Sequence, residues 1–272
     1  MASPFSVSVL TLVLLIGVTS ACNLEKLASI QFGYSGAKGP DSWGSLNPHF
    51  AACASGKHQS PVNILKNETV TNGNLKPLTR AYKSANATLV NNGFNIGIRY
   101  DQNVGVLLVD GKNYTLKQMH WHCPSEHRIN GEQFAAELHM VHLDNDGNFA
   151  VVGILYSYGN ADPFISKLKA ALDKLAKERC GSDEEAHVAL GTININHIRK
   201  NSRKYYRYMG SLTTPPCSEK VVWNILGKVR TISKEQVEAL TVPLDSVCKK
   251  NARPPQQLNG RMVELYDEMG DD

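Results

Sequence analysis

The sequence predicts a mainly β chain built as one large domain, and three observations point there. Short apolar or alternating runs, bounded by Gly, Asn and Asp turn signals, recur along most of its length. One of them, Phe149 to Tyr158 (FAVVGILYSY), is nearly all apolar, as expected of a central strand buried on both faces. Helical periodicity is confined to two stretches, and neither an internal repeat nor a linker divides the chain.

The apolar run Phe5 to Val18 is followed by the small residues Thr19-Ser20-Ala21, the pattern of a signal peptide spanning 1–21 and cleaved before Cys22. The run is too short for a membrane anchor and no basic stop-transfer cluster follows it. The expected product is therefore an unanchored 22–272 domain in the secretory pathway, with secretion as the default destination and a vacuole or plastid as alternatives. About 250 residues suffice for one core. The formal charge of +4 lies entirely in that domain and is spread along it. It favours solubility, and with no basic stripe or motif no nucleic-acid partner is expected. Six cysteines, Cys22, Cys53, Cys123, Cys180, Cys217 and Cys248, are compatible with disulfides in an exported protein, in about 15 possible complete pairings. Sequons at Asn67, Asn86 and Asn113 are candidate glycosylation sites.

In chain order, residues 22–66 are irregular and pinned by Phe32, Tyr34 and Trp43, with Pro61 turning HQSPVNI into a short apolar run. Strands follow at Ala87 to Val90, Phe94 to Tyr100 and Val104 to Val109, separated by Asn-Asn-Gly and Asp-Gly turns. Two strands occupy Leu116 to His142, joined by a turn at His127 to Gly131, with Phe134 to Val141 returning. After the FAVVGILYSY strand, Phe164, Ile165, Leu168, Leu172 and Leu175 recur at helical spacing within Asp162 to Arg179, behind an Asp162 cap and Pro163 at the first helical position. Gly191 to Ile195, Tyr205 to Ser211, Val221 to Ile225 and Met262 to Tyr266 read as strands. Ser233 to Leu240 reads as a helix with a Ser233/Gln236 capping box.

Five of the nine histidines fall in LKQMHWHCPSEHRINGEQFAAELHMVH, residues 116–142. Strand alternation puts His120 and His122 on one face about 7 Å apart, with His139 on the neighbouring strand. Three neutral imidazoles and a water make the ligand set of a catalytic zinc, which lowers the pKa of its water to about 7. Gln118 shares the face of His120 and His122, and Glu137 that of His139, so both are candidates to fix ring orientation. His127, His142 and Cys123 fall off the ligand faces.

With these residues in place, HWH at 120–122, SEH at 125–127, ELHMVH at 137–142 and GSLTTPP at 210–216 together resemble the α-class carbonic anhydrases. FGYSGAKGPDSWG, QSPVNI and NARPPQQ extend the likeness over nearly the whole mature chain, and KQMHWHCPSEHRINGE and ADPF are similar to plant members. The resemblance implies a twisted, mostly antiparallel sheet of about ten strands with a conical metal cleft and a few peripheral helices. It implies zinc on His120, His122 and His139, with Gln118, Glu137 and the Asn251 carbonyl orienting those rings. It implies that Thr213 and Glu126 orient the attacking hydroxide, that Thr214 positions bicarbonate, and that Val141, Val151, Leu212, Val221 and Trp223 form an apolar wall for carbon dioxide. A Cys53–Cys217 disulfide is also implied. Where fast members carry a proton-shuttling histidine, this chain has Phe94, with Tyr34 and Asn92 along the water path, so slow proton transfer is expected. Partners implied are carbon dioxide, bicarbonate, small buffers and sulfonamide or anion inhibitors, on a monomer or dimer. The family also includes tuber storage proteins, which makes storage or binding with residual activity the alternative.

Overall fold

The computed structural model describes residues 32–100, 102–177, 186–195, 198 and 203–268. Residues 1–21, Cys22 and Cys180 lie outside the described residues. Among the described residues thirteen strands join one sheet: β1 (Val70–Thr71), β2 (Thr79–Tyr82), β3 (Ala85–Asn91), β4 (Ile96–Tyr100), β5 (Gly105–Val109), β6 (Lys112–His122), β7 (Ala136–Leu143), β8 (Phe149–Tyr158), β9 (Ala186–Ile193), β10 (Lys204–Ser211), β11 (Glu219–Leu226), β12 (Arg230–Ile232) and β13 (Glu264–Asp267). Their spatial order is β9-β3-β4-β6-β7-β8-β11-β10-β13-β1, with β12 beside β8, β5 beside β6 and β2 beside β5. Pairing is antiparallel except for β8 with β11, β8 with β12, and β13 with β1.

Alternation along the central strands divides the interior in two. Met119, Trp121, Leu138 and Met140 point to one face and pack with Leu89, Ile98, Val152 and helix α1 (Pro163–Lys177). The other face gathers Val141, Val151, Tyr206, Tyr208, Val221 and Trp223. The register of β7 on β6 shifts between Val141 and His142, which lets Leu116 join Met119 on the first face.

Helix α1 forms where the periodicity places it. Its five apolar residues, Phe164, Ile165, Leu168, Leu172 and Leu175, are all buried, each contributing about 1.5–3 kcal/mol by leaving water. Asp162 Oδ1 accepts the N–H groups of Phe164 at 2.8 Å and Ile165 at 3.2 Å, two donors that the first turn leaves unsatisfied. Helix α2 (Lys234–Thr241) begins with the Ser233/Gln236 capping box. No helix among the described residues is long and apolar enough to cross a membrane.

Three expectations need correction. Phe94 is not in a strand: Asn92 Oδ1 accepts from the N–H groups of Phe94 and Asn95 in a local turn, and β4 starts at Ile96. The strand expected at Gly191 begins five residues earlier, at Ala186. It is an edge strand with few buried side chains and a register shift between Ala189 and Gly191, so its alternation is weak. Within the expected His127 to Gly131 turn, Arg128–Ile129 pairs in parallel with Asn63–Ile64, and the reversal falls on Asn130 and Gly131, both at positive φ.

Candidate metal centre

In the β6–β7 register His139 stands opposite His120, and Glu137 opposite His122. The three ring centroids lie 4.7–5.2 Å apart. Each ring has one nitrogen tied to a group that can only accept, which fixes the tautomer. His120 Nδ1–H donates to Gln118 Oε1 (2.8 Å), His122 Nδ1–H to the Asn251 carbonyl (2.5 Å), and His139 Nε2–H to Glu137 Oε1 (2.8 Å). That leaves His120 Nε2, His122 Nε2 and His139 Nδ1 as bare lone pairs. His122 Nε2 is buried with no hydrogen-bond partner among the described residues. One ligating nitrogen from each residue lies within 4.8 Å of the other two. Burial pushes all three pKa values down: His120 well below the usual range with help from the other two rings, His122 to about 3, and His139 against the opposing pull of Glu137. Three neutral imidazoles with converging lone pairs fit zinc.

A second grouping, His127, Glu137 and His139, also has metal-ligand spacing. Its atoms are already spent on one another. His127 Nδ1 bonds Glu137 Oε1 at 2.7 Å and its Nε2 bonds the Tyr208 hydroxyl at 2.6 Å, which in turn contacts Ser60 Oγ at 2.8 Å. Glu137 Oε2 accepts the backbone N–H groups of Glu126 and His127. Burial alone would raise the Glu137 pKa, but His127 and His139 hold it well below the carboxylate range. The grouping braces His139 rather than offering a second site. Gly153 leaves room for it, since a Cβ there would meet Ile225 Cδ1 at 2.6 Å and Glu137 Oε1 at 3.0 Å.

Glu126, fully buried, accepts the Arg253 N–H at Oε1 (2.9 Å), while Oε2 has no hydrogen-bond partner among the described residues and lies 3.9 Å from His139 Nδ1. Burial drives its pKa well up, and the Thr213 hydroxyl is the strongest opposing influence. Thr213 is itself buried, on the loop after β10. That loop is anchored by the Cys53–Cys217 disulfide, by Cys217 N–H donating to the Thr214 carbonyl, and by Gln59 Nε2 donating to the Cys217 carbonyl.

The register places Val141, Val151 and Trp223 side by side on the histidine face, with Val221 buried and Leu212 half-buried in the same cluster. The Trp223 ring lies 4.8 Å from that of His139, and its indole N–H is satisfied by the Ser211 carbonyl. Phe94 packs 4.9 Å from Phe32 in an aromatic group with Tyr34 and Trp43. The Tyr34 hydroxyl is buried without a partner among the described residues, and burial raises its pKa. The Asn92 amide is held in its own turn, donating to Asn95 Oδ1. Asn67, Asn86 and Asn113 are all exposed. Cys123 carries a buried free thiol on the α1 face, its pKa pushed up to about 12 by burial.

The sequence reading missed the roles of Arg253 and Tyr208. Arg253 is buried, donating to Gln59 Oε1 and to the carbonyls of Ser60 and Cys53. Arg253 lies within NARPPQQ and Tyr208 just before GSLTTPP, but nothing local in either stretch marks an arginine or tyrosine as buried.

The eukaryotic-type carbonic anhydrase family model matches residues 38–267. The chain is 40% identical to alpha carbonic anhydrase 7 of Arabidopsis thaliana over 266 residues, 96% of this chain and 95% of the relative. Among solved structures, dioscorin complexed with ascorbate superposes with TM-score 0.84 at 35% identity, covering 88% of this chain and 99% of that one. The α-carbonic anhydrase of Thermovibrio ammonificans with the inhibitor sulfanilamide gives TM-score 0.74 at 37% identity, covering 86% and 98%. A match of this extent, on a sheet carrying three converging histidines, places the chain in the α-class carbonic anhydrase family.

Proposed function

We propose that the chain catalyses the reversible hydration of carbon dioxide at a zinc ion held by His120, His122 and His139. The observation that carries this is the convergence of three uncommitted imidazole nitrogens whose partner nitrogens are each locked to an acceptor. Zinc bound there would act as a Lewis acid, bringing the pKa of a water to about 7.

The remaining work falls to the chain. Gln118, Glu137 and the Asn251 carbonyl hold the ring orientations. Thr213, its hydroxyl proton directed at Glu126, presents an oxygen lone pair to the site. A hydroxide supplied there would donate a hydrogen bond to the Thr213 oxygen, leaving a lone pair turned toward the substrate. Val141, Val151, Leu212, Val221 and Trp223 hold a neutral gas by dispersion alone, and Thr214 supports the bicarbonate product. Phe94 cannot ionise, so protons leave to small buffers past Tyr34 and Asn92. The disulfide supports a secretory-pathway protein.

A second reading, binding or storage with residual turnover, is favoured by the fold likeness to dioscorin. Metal analysis together with hydration assays on the purified 22–272 chain separates the two. One zinc per chain and turnover inhibited by an aryl sulfonamide are expected, and a chain lacking both is not this enzyme.

A further inference from the structure

Thr213 and Glu126 belong to segments far apart in sequence, and one buried residue reaches what holds each of them. The backbone N–H of Arg253 donates to Glu126 Oε1 at 2.9 Å. Its guanidinium donates through Nη1 to Gln59 Oε1 (2.9 Å) and the Ser60 carbonyl (2.8 Å), and through Nη2 to the Cys53 carbonyl (2.9 Å). Each of those three acceptors belongs to a residue that grips one end of the Thr213 loop. Ser60 holds the near end by exchanging two hydrogen bonds with Ser211. The Ser60 N–H donates to Ser211 Oγ (2.9 Å), and Ser60 Oγ accepts the Ser211 N–H (3.0 Å). Cys53 and Gln59 hold the far end, the first through its disulfide to Cys217 and the second by donating from Nε2 to the Cys217 carbonyl at 3.1 Å. Cys217 in turn donates its N–H to the Thr214 carbonyl.

The position calls for an arginine. A buried cation is costly unless its donors are met, and Arg253 is buried. A planar fork can reach acceptors on three residues at fixed angles, which a single ammonium cannot. The guanidinium also lies 5.5 Å from the Trp43 ring, and Glu126 is the strongest influence keeping its charge against burial. The segment that carries it is fixed from the metal side. Asn251 N–H donates to the Cys123 carbonyl, and Asn251 Oδ1 accepts the Cys123 N–H at 2.8 Å.

We infer that Arg253 is a positioning residue for the hydration reaction. Its N–H fixes Glu126, and its guanidinium fixes, through Cys53, Gln59 and Ser60, the loop that carries Thr213. This rests on the roles proposed above for Thr213 and Glu126. Arg253 acts only through that pair, so its effect on rate depends on the pair being intact.

The test is a double-mutant cycle on the zinc-loaded 22–272 chain, comparing wild type, Arg253→Lys, Thr213→Val and the double variant. Lysine keeps the charge and loses the fork. Arg253→Lys is expected to keep one zinc per chain and to lose about tenfold in kcat/KM for hydration. In the Thr213→Val background the same substitution should cost less than about twofold. A second measurement needs no activity. In the metal-free protein, Arg253→Lys should speed hydrogen–deuterium exchange at the Ser211 and Cys217 amides while those of β6 and β7 keep their protection. An unchanged rate in Arg253→Lys, a tenfold loss that persists beside Thr213→Val, or unchanged exchange at Ser211 and Cys217 would overturn the positioning role and leave the metal centre standing. Protection lost on β6 and β7 as well would overturn it too, marking Arg253 as a general support of the fold. If the zinc-loaded wild type does not hydrate carbon dioxide, the reaction assignment itself falls and takes this role with it.

Discussion

Glu137 and His139, two residues apart on β7, are joined by a hydrogen bond from His139 Nε2–H to Glu137 Oε1 at 2.8 Å. The same oxygen takes the His127 Nδ1 bond, and its partner oxygen takes two backbone N–H groups. The carboxylate accepts four hydrogen bonds and has no position for a donor. Glu137→Gln would turn an NH₂ toward at least one group that also donates. It should weaken zinc binding by about 10- to 100-fold, measured by competition with a chelator of known affinity. Stability should fall too, by about 1–3 kcal/mol in urea unfolding of the metal-free protein. Unchanged zinc affinity would remove Glu137 from the supporting role assigned to it.

Thr213 acts in the account through its hydroxyl and not by holding metal. Thr213→Val should therefore keep one zinc per chain while kcat/KM for hydration falls by about 100-fold, and Thr213→Ser should restore most of it. Parallel loss of zinc and rate in the valine variant would mark Thr213 as structural.

Proton export is where turnover is expected to be limited. Phe94 sits against Phe32 and carries no ionisable group, whereas an imidazole titrates near neutral pH. Hydration measured by stopped flow should rise with the concentration of a small imidazole buffer. Phe94→His should raise the low-buffer rate, with a somewhat lower Tm from the loss of aromatic packing. A rate independent of buffer in the wild type would contradict this.

His142 gives the fold a pH dependence separate from the site. Its Nδ1–H donates to the Ala150 carbonyl at 3.1 Å, so Nε2 accepts from the Tyr82 hydroxyl at 2.6 Å, and burial lowers its pKa to about 3. The unfolded chain takes up a proton near pH 6.5 that the folded chain refuses. The contribution is therefore complete above that pH and is lost as pH falls toward 3. Between pH 7.5 and 5 this residue should lower stability by about 2 kcal/mol, and His142→Gln should lose that share of the slope when urea unfolding is compared at the two pH values. Equal slopes in the two proteins would show that another group carries the dependence.

What was legible in the sequence was what a strand or helix repeats locally. Period-two alternation placed His120, His122 and His139 on one face and His142 and Cys123 on the other, and period 3.6 picked out the five buried residues of α1. Gln118 and Glu137 followed from the same parity. The less legible parts depend on distant segments meeting. Arg253 reaches Cys53, Gln59 and Ser60 from about 200 positions away, and Tyr208 meets His127 across 81 positions. Alternation says nothing about either. The Cys53–Cys217 pairing came from family resemblance, since cysteine count alone left every pairing open. Edge strand β9 was misplaced because an exposed strand has little apolar pattern to read.

Hydration is proposed to depend on a zinc ion held by His120, His122 and His139. The most direct measurement is stopped-flow carbon dioxide hydration by the purified 22–272 chain before metal removal, after it, and after zinc is returned. Activity should disappear with the metal and return as zinc approaches one equivalent per chain. Hydration that survives complete metal removal would contradict it.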